Sequence, residues 1–318
     1  MNDSPEADVE RFRSKLLAVA YRMLGTAADA EDAVQDAYLR YHQHAAEVQS
    51  PEGWLVKTTT RLCLDRLRRA KREEYVGPWL PEPVPETWPG AAAVDRVELA
   101  ESLSMAFLVL LETLSPVERA AYLLREVFGY EFDEIGDLLD KSPVNVRQIT
   151  ARAKKRLGRK ERRFVPRVER ADDLATRFFA ACQAGDAPAI ETLLAEDVTL
   201  YSDGGGKTFA APKPVRGVRK VANLLAVVFR KLQKVGDLTV TLVNGRPGVV
   251  FTAGGKAVEV FSFDPVGDTV GSVYVVLNPD KLRRWSAPNG GDVAQSGPWE
   301  KKSDGRKTQL REAGRRAD

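Results

Sequence analysis

Asn145, Gln148 and Arg152 carry amide and guanidinium groups suited to hydrogen-bonding base edges, and they recur within about two turns of one predicted helix. Arg147, Lys154, Lys155 and Arg156 lie around them and suit phosphate oxygens, which position a protein on a duplex without reading its sequence. A second group is acidic. Asp29, Asp32 and Asp36 recur at i, i+3 and i+7, which places three carboxylates along one face of a helix. The spacing alone is equally that of a solvated stripe. A third group lies in the last third of the chain, where Tyr201, Asp203, Asp237 and Glu259 could act as acids or bases. Both histidines, His42 and His44, lie elsewhere, and no pairing among the four is visible in the spacing. Gly206-Lys207-Thr208 is no phosphate loop, because Tyr201 stands where that motif requires glycine.

The elements that must hold these groups are legible. Phe132, Ile135, Leu138 and Leu139 give one helix a buried face, and Lys141-Ser142-Pro143 ends it and starts the next. Ser142 can cap the orphan amides there, and Pro143 lacks the donor that would otherwise go unpaired. Val146, Ile149, Ala153 and Leu157 fall on one side of the second helix. Tyr130–Arg163 therefore reads as a helix-turn-helix, which points to DNA; a solvated basic helix in an ordinary bundle is the competing reading. Upstream, Phe12, Leu16, Val19, Ala20 and Met23 predict a helix ending at Gly25. Thr26 with Asp29 has the capping-box pattern for the helix carrying the acidic stripe. Ser50-Pro51-Glu52 opens a third helix, expected from about Gly53 to the basic run ending at Arg72.

Gly77–Pro89 holds five prolines and two tryptophans and reads as a linker, though a plain spacer has no use for Trp79-Leu80-Pro81. Helices are expected again from Val94 to Leu114 and from Ser115. Beyond Pro166 the pattern changes. Helices are expected at Asp172–Ala184, Pro188–Leu194 and Gly217–Gln233, with strands at Val198–Tyr201, Leu238–Val243, Gly248–Ala253, Ala257–Asp264 and Ser272–Leu277. Helices followed by a run of antiparallel strands predict an α+β cone, and the polar stretch from Ser286 onward is expected to be disordered.

Composition fits a soluble multidomain protein of 318 residues. No apolar run approaches the roughly 20 residues a membrane span needs, and Met1–Arg11 does not read as a signal peptide, so a cytoplasmic location is expected. Cys63 and Cys182 stand far apart and support neither a disulfide framework nor a zinc site, and no cofactor is expected. Net charge is only +3, but it is strongly segregated, and local patches set the binding field.

Tyr21-Arg22-Met23-Leu24-Gly25 with Asp29–Arg40 resembles the second conserved region of bacterial sigma-70 factors of the extracytoplasmic-function (ECF) group, and Trp54-Leu55 with Leu64–Arg69 is similar to the end of that region. The helix-turn-helix resembles the fourth region. Three short motifs narrow the resemblance to the subgroup with a SnoaL-like (NTF2-like) C-terminal domain: Trp79-Leu80-Pro81; Asp203-Gly204-Gly205-Gly206-Lys207; and Asn278-Pro279-Asp280-Lys281-Leu282. The implied architecture is a region 2 bundle over 5–76, a linker over 77–95 and a region 4 helix-turn-helix over 96–165, then a SnoaL-like cone over 168–283 and a tail over 284–318.

The resemblance implies that Asp29, Asp32, Gln35, Asp36, Tyr38 and Leu39 bind core RNA polymerase. Trp54, Lys57, Arg61, Arg66, Arg68 and Arg69 would meet the promoter's −10 element, with Trp54 equally readable as core. Asn145, Arg147, Gln148, Arg152, Lys154, Lys155 and Arg156 would meet the −35 element. The cone would be a fused regulator without enzymatic activity that docks on the sigma domains and linker. Its glycine run Gly204-Gly205-Gly206 would approach Trp79, Leu80 and Pro81, with Asp203 and Lys207 at the rim and Asn278, Pro279, Asp280, Lys281 and Leu282 in the same contact. A ligand in the cone is left open. The alternative is a helix-turn-helix regulator with a sensing or enzymatic NTF2-like domain, which gives no reason for the acidic stripe.

Overall fold

Helix α1 (Arg13–Leu24) buries its run from Leu16 to Leu24 and stops at Gly25, whose φ of 79° closes the helix in the left-handed region. Thr26 then accepts a hydrogen bond from the Asp29 amide and opens α2 (Ala27–His44), and α3 (Pro51–Arg69) completes a bundle in which all three helices touch. The computed structural model describes residues 9–69, 75–92, 102–161 and 168–285. The short α4 (Pro89–Ala92) packs back on α1. Helix α5 (Met105–Leu111) starts at the Ser104 cap, and α6 (Pro116–Tyr122) starts at a complete Ser115–Glu118 capping box before widening into a π turn over Leu123–Val127.

The helix-turn-helix is α7 (Phe132–Leu139) and α8 (Pro143–Glu161), joined through Asp140 at φ 55°. The Ser142 hydroxyl accepts from the Asn145 amide at 3.3 Å, and Val146, Ile149, Ala153 and Leu157 are buried, as their spacing predicts. The two helical domains are not separate bodies. Leu16, Tyr21, Leu55 and Val56 from the first share one continuous core with Leu111, Leu123, Leu124 and Ile135 from the second. Helix α3 lies directly against α6 and α7.

The C-terminal domain comprises α9 (Val168–Ala184), α10 (Ala187–Leu193), α11 (Val218–Leu232) and strands β1 (Leu194–Asp203), β2 (Val215–Arg216), β3 (Asp237–Val243), β4 (Arg246–Ala253), β5 (Lys256–Val266) and β6 (Thr269–Val276). Strand order is β2-β1-β6-β5-β4-β3. The sheet is mixed rather than purely antiparallel, because β1 runs parallel to β6. Strand β1 begins at Leu194, four residues before the expected start, since Leu194 pairs with Val270 across a register shift. The architecture is thus two all-α domains followed by an α+β cone built on one six-stranded mixed sheet.

One face of the sheet is covered by the domain's own helices, with Phe178, Phe179 and Phe229 packed against Phe251, Phe261 and Phe263. The other face carries Val243, Val250, Val260, Tyr274 and Val276, and it is covered by Leu80 of the linker, Met105 and Ala106 of α5, and Leu282 and Trp285. Arg284 and Trp285, assigned by sequence to the tail, belong to this packed body: Trp285 is buried and donates its indole N–H to Pro83 O at 2.8 Å. The expected disorder from Ser286, the helix start at Val94 and the basic end of α3 beyond Arg69 lie outside the described residues.

Candidate functional site

Helix α2 exposes Asp29, Asp32, Gln35 and Leu39, with Asp36 and Tyr38 half-buried beside them. The stripe is partly neutralised from α3, where Arg66 reaches Asp36 at 2.9 Å and Asp32 at 3.8 Å. Trp54 is half-buried, stacked on His44 and edge-on to Tyr41. Lys57 is half-buried, whereas Arg68 and Arg69 are exposed, Arg68 pairing with Asp65. On α8, Asn145, Arg147, Gln148, Arg152 and Lys155 are exposed. Lys154 pairs with Glu126 and Arg156 with Glu118, while Arg147 sits 5.2 Å from the Phe132 ring centroid.

One pair joins the two DNA-facing candidates directly. Arg61 on α3 holds Asp140, in the turn of the helix-turn-helix, at 2.6 Å. Both groups are exposed, so the pair is worth under about 1 kcal/mol. Asp140→Gly should remove it while relieving the left-handed backbone, giving a helix-turn-helix at least as stable in a denaturant melt.

The densest polar construction lies between the linker and the cone. Asp203 is fully buried at the end of β1, not at a rim as its glycine-rich setting suggests. Its carboxylate accepts from Tyr75 Oη at 2.6 Å, Gly205 N at 3.0 Å, Leu80 N at 2.9 Å and Lys281 Nζ at 2.7 Å. Four donors saturate the lone pairs a carboxylate offers. Lys281 also donates to Leu80 O at 2.5 Å and lies 4.5 Å from the Trp79 ring centroid and 5.0 Å from that of Tyr75. Burial lowers the Lys281 pKa and outweighs the opposing pull of Asp203, which is the desolvation cost of placing this pair inside the protein. The Tyr75 hydroxyl is pushed up, first by burial and then by Asp203.

Around this pair the motifs divide their roles. Asn278 caps its own turn at Asp280 N and donates to Tyr75 Oη at 3.0 Å. Gly205, at φ 58°, lies so close to Asn278 that a Cβ would come within 2.3 Å of its amide nitrogen. Lys207 pairs with Asp280 outside, where Pro279 is also exposed; Leu282 and Pro81 are buried. Of the linker residues expected against the glycine run, Leu80 is bonded to Asp203 at its head, whereas Trp79 is seated elsewhere. Gly204 faces Thr208 and Ala210, Gly206 faces Val76, and the Trp79 ring lies over Gly25, where a Cβ would approach to 2.4 Å. Gly25 O in turn accepts from Glu82 N at 2.8 Å. The linker is thereby held between the first bundle and the cone.

Residues that sequence reasoning did not single out complete the junction. Glu82 accepts from the α2 amides of Ala27 and Ala28 and from Arg284, which also reaches Glu31 at 2.6 Å. Burial raises the Glu82 pKa despite these donors, whereas Arg284 is raised because Glu31 and Glu82 outweigh its own burial. Asp264 accepts from Ala106 N at the start of α5, and burial pushes it up to about 6. Asn244, at the β3–β4 hairpin tip, exchanges hydrogen bonds with Val84 and donates to Tyr21 Oη and Leu103 O. Asn-Gly is the sequence signature of a two-residue hairpin turn, but nothing in it points to these partners.

Family models for sigma-70 region 2 and sigma-70 region 4 match residues 9–73 and 104–157. The chain is 34% identical over 289 residues to the ECF RNA polymerase sigma factor SigJ of Mycobacterium tuberculosis, covering 87% of this chain and 92% of that one. It is 33% identical to the probable ECF sigma factor SigI of the same species, over 61% of this chain and 67% of that one. The crystal structure of M. tuberculosis SigJ superposes with a TM-score of 0.70 at 32% identity, covering 86% of this chain and 97% of that one. With both conserved sigma regions in order and a full-length relative at this identity, the chain belongs to the ECF RNA polymerase sigma factors.

Proposed function

We propose that this sigma factor directs core RNA polymerase to its promoters only when its helical domains separate, and that the C-terminal cone holds them together. The carrying observation is the buried Asp203–Lys281 pair that grips both main-chain groups of Leu80. Elements centred near −10 and −35 lie about 25 base pairs, or about 85 Å, apart along straight B-DNA. Buried residues between Val9 and Leu157 share one core, and a globule of about 150 residues is only about 40 Å across. The packed arrangement therefore cannot address both elements, and the linker must be released for it to do so.

Core polymerase and promoter DNA are the partners of this reading, with Asp29, Asp32, Gln35, Asp36, Tyr38 and Leu39 facing the polymerase. The −10 contacts are Trp54, Lys57, Arg61, Arg66, Arg68 and Arg69. A cytoplasmic location follows from that partnership, and among the described residues no helix is long and apolar enough to cross a membrane. The cone acts as a regulator rather than a catalyst: Asp203 is committed to the linker and Tyr201 stacks on Tyr274. In vitro transcription with reconstituted core tests the reading. Start-site-specific initiation should rise when residues after Arg167 are removed from an otherwise intact factor; unchanged initiation and core affinity would refute autoinhibition.

The −35 assignment has its own check. Arg152→Ala should lose about 1–3 kcal/mol of preference at one or two −35 positions. Lys155→Ala should weaken all sequences alike and lower the salt slope. Indistinguishable behaviour of the two in a salt-titrated binding assay would refute this division.

A further inference from the structure

We infer that Asn244-Gly245 is a deamidation site gated by domain docking, whose conversion prevents the opened factor from closing again. The inference rests on the docking reading above. Asn244 (φ 52°) and Gly245 (φ 71°) form the two-residue loop between β3 and β4, the conformation of a type I′ turn. Asn244 is fully buried, although it sits at a hairpin tip. Every partner of its side chain comes from another part of the chain. Oδ1 accepts from Val84 N at 3.0 Å, and Nδ2 donates to Tyr21 Oη at 2.7 Å and Leu103 O at 3.1 Å. Those are the first bundle, the linker and the entry to the second helical domain.

The chemistry needs only water. The Gly245 amide nitrogen loses its proton and attacks Asn244 Cγ; the Cγ–Nδ2 bond breaks and ammonia leaves with that proton. The resulting succinimide is opened by water at either carbonyl, giving aspartate or isoaspartate. Glycine after the asparagine leaves the attacking nitrogen unhindered by a side chain. In the docked chain the amide is pinned at both ends and shielded from water, so Cγ cannot swing onto the nitrogen. Undocking removes all three partners at once and leaves a bare Asn-Gly hairpin tip.

Re-docking of the product is opposed by the same contacts. A carboxylate has no proton to give to Leu103 O. The Tyr21 hydroxyl proton is already donated to Glu82 O at 2.6 Å, so the new oxygen would face a lone pair there as well. A buried charge left with Val84 N as its one remaining donor is strongly disfavoured. Time spent open would thus be recorded covalently.

The test uses the full chain. Wild type and Asp203→Ala are incubated in mildly alkaline buffer. Docking is read by hydrogen exchange of the linker, and conversion at residue 244 by peptide mass and isoaspartyl methyltransferase labelling. Asp203→Ala should undock and convert at least about tenfold faster, because the rate follows the population of the competent state. If it undocks yet converts at the wild-type rate, the inference is wrong and the docking reading stands. If it remains docked, the docking reading fails and takes the inference with it. Independently, Asn244→Asp should bind core polymerase more tightly than Asn244→Gly, which keeps the turn and adds no charge; equal affinities would overturn the claim that conversion blocks closure.

Discussion

Asp203→Ala is expected to release the linker and raise core-polymerase affinity by at most about two to three and a half orders of magnitude. The substitution leaves the Lys281 ammonium buried without its counter-charge and strips acceptors from Leu80 N, Gly205 N and Tyr75 Oη. Breaking one side of a buried pair costs about 3–5 kcal/mol, and each 1.4 kcal/mol is tenfold in an equilibrium. Part of that cost falls on the folding of the cone, so the gain in affinity is a ceiling. Lys281→Met should be milder: Asp203 keeps three donors, and the apolar replacement still fills the space beside Trp79 and Tyr75. A double-mutant cycle on core binding measures the coupling. An Asp203→Ala affinity within twofold of wild type would show that this pair does not restrain the factor.

Glu259→Gln should stabilise the protein, by an amount that grows as pH rises from the range where a free carboxyl ionises. Glu259 pairs with Phe251 beside the Phe229, Phe251 and Phe261 rings, and Oε2 has no hydrogen-bond partner. Burial pushes its pKa up from 4.5 to about 7. Below the unfolded value both states carry the proton and the acid costs nothing. As pH rises from there the unfolded state ionises first, and stability falls until the folded group titrates near 7. The full penalty, up to about 3 kcal/mol, is then present at higher pH. Glutamine carries no charge, so its advantage should grow from near zero at low pH to a plateau above neutrality. Denaturant melts across that range measure it; a gain independent of pH would show that the carboxyl's charge is not the cause.

Features encoded by neighbouring residues were readable in the sequence. Thr26 and Ser142 cap the helices they precede, Ser115 with Glu118 forms its box, and Gly25 ends α1. These depend on local geometry alone. The early start of β1 was hidden because it is set by pairing with β6, about 75 residues on in sequence. The motif residues were visible, but their division was not. Asp203, Lys281 and Leu80 are buried at the linker contact, whereas Lys207, Pro279 and Asp280 lie at its outer edge. Asn244, Asp264 and Arg284 went unnoticed because a single polar residue beside a turn or in a strand gives no sign of a partner on another domain.

The apolar face shared by the cone, linker and α5 gives the switch a thermal character. Leu80, Met105, Ala106, Val243, Val250, Val260, Val276, Leu282 and Trp285 leave water together when the domains dock. Exposing such surface carries a positive heat-capacity change, so the enthalpy of opening climbs steeply with temperature. The apolar share of docking weakens on cooling. Polymerase should therefore prise the factor open more easily in the cold, and calorimetric titration with core at several temperatures should give a binding enthalpy whose slope contains this exposure. The sheet face that conceals the linker would then make promoter access a function of growth temperature, with no ligand involved.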